Sequence, residues 1–72
     1  MRVIDVDKTR DNLNELIRDN CKIAPLARKM GISPKAIYKW FEGKSLPSLD
    51  RLVELSGILG CSLNELIIVK EI

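Results

Sequence analysis

The chain has 72 residues, 46% of them hydrophobic and 31% charged, with a net charge of +2 and no histidine. This length suits one small domain, residues 1–72, and the composition is that of a folded chain rather than a disordered one. Without histidine, His-based acid–base catalysis, Ser-His and Cys-His nucleophile pairs and most zinc sites are ruled out, so neither an enzyme nor a metal, cofactor or small-molecule site is expected. The longest apolar run, Leu66-Ile67-Ile68-Val69, is far shorter than the roughly twenty residues of a membrane span. The opening MRVIDVDK lacks the apolar stretch of a signal peptide. Cys21 and Cys61 are too few for a disulfide framework. A soluble, cytoplasmic protein is the expectation.

Residues 2–6 alternate weakly and carry two valines and an isoleucine, which predicts a short strand. Asp7 is expected to cap a first helix whose Leu13, Leu16 and Ile17 share one face, and Asn20 to end it in a left-handed conformation. A second helix is read from Ile23 to Met30, with Pro25 in its first turn, Leu26, Ala27 and Met30 facing inward, and Gly31 as its stop. Ser33-Pro34 opens a third helix with a side-chain cap followed by proline at the first helical position, and Gly43 closes it. Lys44-Ser45-Leu46-Pro47 reads as a linker. Ser48 then caps a fourth helix bearing Leu49, Leu52, Val53, Leu55, Ile58 and Leu59, which Gly60 ends. Ser62 and Glu65 have the spacing of a capping box for a short fifth helix. The tail from Ile67 to Ile72 either extends that helix or turns into a strand. Five short helices with brief connections predict an all-α bundle. Val3, Ile4 and Val6 at one end, and Ile67, Ile68, Val69 and Ile72 at the other, are too apolar to be idle. The simplest cover pairs residues 2–6 with 68–72 as a two-stranded ribbon, packed on the first and fifth helices or joined to its copy in a dimer.

The charge is unevenly placed. Residues 22–44 hold six bases against one acid, Glu42, whereas residues 1–21 and 45–72 are each slightly acidic. A one-sided basic patch on a small domain is the electrostatic footprint of a nucleic-acid binder. Within the basic block, a helix ends at Gly31 and the chain turns before the next helix begins at Ser33-Pro34. Ala27 supplies the small side chain that two steeply crossing helices need, and Ile32, Ile37 and Trp40 are the apolar anchors. That is the layout of a helix-turn-helix over residues 23–41, whose second helix enters the DNA major groove.

The segments LARKMGIS (26–33) and AIYKW (36–40), followed by GKSLPSL (43–49) and LGCSLNELI (59–67), resemble the XRE-type, lambda-repressor-like helix-turn-helix regulators. The likeness runs over roughly residues 8–68. It implies a five-helix DNA-binding domain and a bacterial or phage transcriptional regulator, of repressor type, bound to double-stranded DNA as a homodimer. Four positions depart from the family pattern. Ile23 stands where the family often has a glutamine. Ile17 and Phe41 stand where it tends to pair arginine with glutamate, which predicts an apolar core pair instead. Glu42 stands where a basic or amide residue is common.

On a helical wheel of about 100° per residue, Ala36, Ile37, Trp40 and Phe41 fall on one side of the third helix and Lys35, Tyr38, Lys39 and Glu42 on the other. Lys35 and Lys39 form a like-charge i, i+4 pair that a phosphate-lined groove would relieve. The base-reading set is therefore Pro34, Lys35, Tyr38 and Lys39, with guanine N7 and O6 the natural targets of the lysines. Glu42 is expected to pair with Lys39. Lys22, beside the free N–H groups of the second helix, and Ser33, Lys44 and Ser45, flanking the third, are the phosphate-contact set. Trp40 reads as core rather than as a stacking platform for single strands. Cys21 and Cys61 read as small packed hydrophobes. The alternative function is a protein-interaction module of antitoxin or adaptor type, built on the same scaffold.

Overall fold

The computed structural model describes residues 1–72. The elements are β1 (Arg2–Ile4), α1 (Val6–Asn20), α2 (Ile23–Met30), α3 (Pro34–Phe41), α4 (Leu49–Leu59), α5 (Leu63–Leu66) and β2 (Val69–Glu71). Mostly helical, as expected, the chain also forms the two-stranded ribbon, shorter at each end than residues 2–6 and 68–72. The strands are antiparallel, with Arg2 opposite Glu71, Val3 opposite Lys70 and Ile4 opposite Val69.

Local chemistry explains most element ends. The Ser33 hydroxyl accepts from the Ala36 N–H and the Ser48 hydroxyl from the Arg51 N–H, each replacing a missing helical partner. Gly31 takes φ +69°, which an L side chain resists, and lets the Ile32 N–H reach back to the Ala27 carbonyl at 3.0 Å. That bond closes α2 and sets the direction of the turn.

Three expected ends differ. Asp5, not Asp7, caps α1, its carboxylate accepting from the Lys8 N–H at 3.1 Å. The Asp5 N–H itself donates to the Ile68 carbonyl, so the ribbon decides where the helix begins. Asn20 stays helical and its side chain donates back to the Leu16 carbonyl at 2.8 Å, leaving extended Cys21 as the end. Ser62 caps α5 without its side chain, so the capping-box spacing is present but its side-chain bond is not.

The core joins all five helices: Leu13 and Ile17 of α1, Leu26, Ala27 and Met30 of α2, Ile37 and Trp40 of α3, Leu55 of α4 and Leu66 of α5. Pro47, read as linker, is buried as well. Long polar side chains satisfy carbonyls at the ends of neighbouring helices, groups that a helix cannot satisfy by itself. Asn12 donates to the Glu65 and Leu66 carbonyls at 2.7 and 3.2 Å. Asn14 donates to the Trp40 carbonyl at 3.2 Å. Arg51 donates to the Met30 carbonyl at 2.9 Å, tying α4 to the end of α2.

The buried hydroxyl of Thr9 latches the second strand onto α1. It accepts from the Ile68 N–H at 3.0 Å and lies 3.2 Å from the Ile68 carbonyl, to which it donates. Thr9→Val keeps the shape but leaves that N–H without its partner. A loss of about 1–3 kcal/mol is expected in urea unfolding, together with faster amide exchange across residues 68–71. Unchanged exchange there would mean that the ribbon is held by its own pairing.

Candidate nucleic-acid interface

Residues 22–45 form the basic segment, and α2 and α3 cross within it. α3 is fixed from behind by fully buried Ile37 and by Trp40, which is 5% exposed. Its first turn is held by the Ser33 cap and by Pro34, and its last by Asn14 on the Trp40 carbonyl. The opposite side is open. Pro34, Lys35, Tyr38 and Lys39 are all exposed. No acidic residue lies in the first turn of α3, and neither Lys35 nor Lys39 joins an ion pair. Two uncompensated cations one turn apart leave this side of the helix positively charged and open.

The flanking residues are also exposed: Lys22, Ser33, Lys44 and Ser45. Lys22 is the N-cap of α2 and contributes no side-chain cap bond, so the first-turn N–H groups there have no side-chain acceptor. It lines an open groove with Arg28 and Lys29, which are likewise exposed. The Glu42 carboxylate meets Lys44 at 3.0 Å rather than the expected Lys39. The chain reverses at Gly43 (φ +75°), and Lys44, rather than Lys39, forms the ion pair with Glu42.

Phe41 differs from the predicted core pair with Ile17. Ile17 is fully buried, whereas Phe41 is half-buried at the edge of the core. The Arg18 guanidinium lies 4.6 Å above its ring centre. The Tyr38 ring meets Phe41 edge-on at 6.2 Å and 74°. Phe41 is thus a shelf that orients Tyr38 and holds a cation, an arrangement of the cation–π type. The i, i+3 spacing of Tyr38 and Phe41 was the available signal. Arg10 is a second residue that the sequence reading passed over. Its side chain packs against Gly43, and its charge is met by Asp7 at 3.0 Å.

No three Cys, Asp or Glu side chains are placed to share a metal ion. Burial, with the Glu65 charge adding to it, pushes the Cys61 thiol above its ordinary pKa, the opposite of what a reactive thiolate needs. No helix is long and apolar enough to cross a membrane.

A short helix, a glycine turn and a second helix with an open basic face define a helix-turn-helix protein. Residues 15–66 match the helix-turn-helix family HTH_3, and the chain belongs to this XRE-type family. Over 37 residues, 51% of this chain, it is 46% identical to the 26 kDa repressor protein of Escherichia phage HK022. The match spans only 16% of that repressor's length. It also resembles the crystal structure of a candidate DNA-binding protein from Bacteroides fragilis, with a TM-score of 0.70 and 28% identity, over 94% of this chain and 100% of the other.

Proposed function

We propose that residues 1–72 act as one DNA-binding unit, a bacterial or phage transcriptional repressor that binds double-stranded DNA by sequence and works in the cytoplasm as a homodimer on its site. In this reading α3, residues 34–41, lies in the major groove. Pro34, Lys35, Tyr38 and Lys39 face base edges, and Lys22, Ser33, Lys44 and Ser45 face phosphates. The observation that carries it is the exposed face of α3, a helix that contains no acidic residue and is anchored from behind by buried Ile37 and Trp40. Family membership and the likeness to a phage repressor support it.

The test is the salt dependence of binding to a random duplex. Each phosphate neutralised by a cation contributes a slope of about −0.9 in log K against log salt, so Lys22 and Lys44, the two cations of the phosphate set, predict a slope of about −1.8 per bound chain. Binding that is absent or flat in salt would overturn the reading. One observation favours the second reading, an antitoxin or adaptor module: Glu42 neutralises Lys44, a cation the DNA reading needs free. A flat salt response with tight binding of a protein partner is what that alternative predicts.

A further inference from the structure

We propose that a second copy of this chain docks on the outward face of α4, as an antiparallel helix pair centred on Val53. The proposal rests on the dimeric DNA-binding reading above and assigns it a surface. Leu49, Val53 and Gly57 follow one another at i, i+4 and i+8 on the exposed side of α4. Leu49 is 66% and Val53 51% exposed, so the row is apolar and uncovered. At 1.5 Å per residue it is about 12 Å long.

Gly57 is the informative member. It lies within the helix, where glycine is less favourable than any residue but proline. Yet nothing lies within 4 Å of a Cβ built there, and its φ is not positive. The fold therefore has no use for glycine at this position, but a closely approaching helix does. In an antiparallel pair, Leu49 of each copy falls opposite Gly57 of the other, and the two Val53 side chains meet on the axis. Large meets small twice, the self-complementarity that a two-fold interface requires.

The charges agree with the same direction. Asp50 is exposed near the start of α4, and Lys29 lines a shallow groove with Val53, Glu54, Gly57 and Ile58 toward its end, the Glu54 charge being met by Arg51 at 2.8 Å. Neither Asp50 nor Lys29 has an ion partner within the chain. Antiparallel docking brings each Asp50 to the partner's Lys29, whereas parallel docking would set Asp50 against Asp50. None of these residues belongs to the base-reading or phosphate set. A single helix pair falls short of the roughly 1,200–2,000 Å² of a stable interface, so the free protein associates weakly and the shared duplex supplies the rest by proximity.

Sedimentation equilibrium of the full chain, taken up to about 1 mM where weak pairs populate, tests this. Wild type and Val69→Lys, which charges the ribbon instead, should show the same weak self-association. Val53→Lys should weaken it at least about tenfold. Gly57→Ala should raise the thermal midpoint of the monomer while weakening association, a split that no purely structural role produces. A wild type that stays monomeric throughout, or a Val53→Lys variant that associates as well as wild type, would overturn the α4 face. Titration of a random duplex with the same proteins keeps the two readings apart. Salt-steep binding by Val53→Lys leaves the DNA reading standing whatever happens to α4, and a wild type that associates through α4 but ignores DNA defeats only the DNA reading.

Discussion

Trp40→Ala is expected to cost about 3–5 kcal/mol, the range for removing a large buried aromatic side chain. The ring is one of nine buried apolar side chains and lies between the reading face and the rest of the core. Domains in general carry only about 5–15 kcal/mol of net stability, and one this small sits at the low end. Most of the population should therefore unfold near 37 °C. Trp40 is the only tryptophan, so its own fluorescence cannot follow the variant; helical circular dichroism in urea can. Trp40→Phe, which fills much of the space, should lose far less. A stable, cooperatively folded Trp40→Ala protein that has lost only nucleic-acid affinity would contradict the core assignment and point to a stacking role.

The second large effect falls on binding. Lys39→Ala should weaken the preferred site by about 1–3 kcal/mol and relax the preference at one base pair. Lys44→Ala should instead weaken all sequences alike, and by less, because Lys44 must leave Glu42 before it can meet a phosphate. The same argument predicts that Glu42→Gln tightens binding to cognate and scrambled duplexes equally. Affinities of the three variants for the two duplexes decide the matter. Equal losses for Lys39→Ala on both duplexes would remove it from the reading set.

What could be read from the chain alone follows a physical line. Stops and caps whose chemistry is local were legible: Gly31 and Gly60 as turns, Ser33-Pro34 and Ser48 as starts. Each depends on the φ or the hydroxyl of one residue, whatever lies across the fold. The ends that differed depend on distant partners. Asp5 displaces Asp7 as the cap because the Ile68 carbonyl holds its N–H, and only the folded ribbon brings residue 68 there. Buried Thr9 and Asn14 were missed for the same reason, since the Thr9 hydroxyl is met by Ile68 and the Asn14 amide N–H by the Trp40 carbonyl, while Asn14 Oδ1 is buried without a partner. The exposed side of α3 emerged from the wheel because burial of Ile37 and Trp40 fixes which side remains outside. The partner of Glu42 and the setting of Phe41 did not, as both depend on where the chain turns after the helix.

The Thr9 latch also bears on the order in which the chain assembles. Contacts such as Asn12 to Glu65 already span 53 residues within the helical body, but there a shared apolar core supports them, whereas pairing Arg2 with Glu71 closes a loop of nearly the whole molecule for only three residues of ladder. Closure entropy grows with loop length and must be met before such a contact gives anything back. The helices therefore condense first, and the ribbon closes last onto a body already formed. Run in reverse, the ribbon is the first unit to open, at a free energy below that of global unfolding. Excursions of this kind uncover the partly buried Val3 and Ile68 while α2 and α3 keep their crossing. Native-state fluctuations are thereby concentrated at the chain ends, and α3 with its exposed basic side remains with the part that unfolds last.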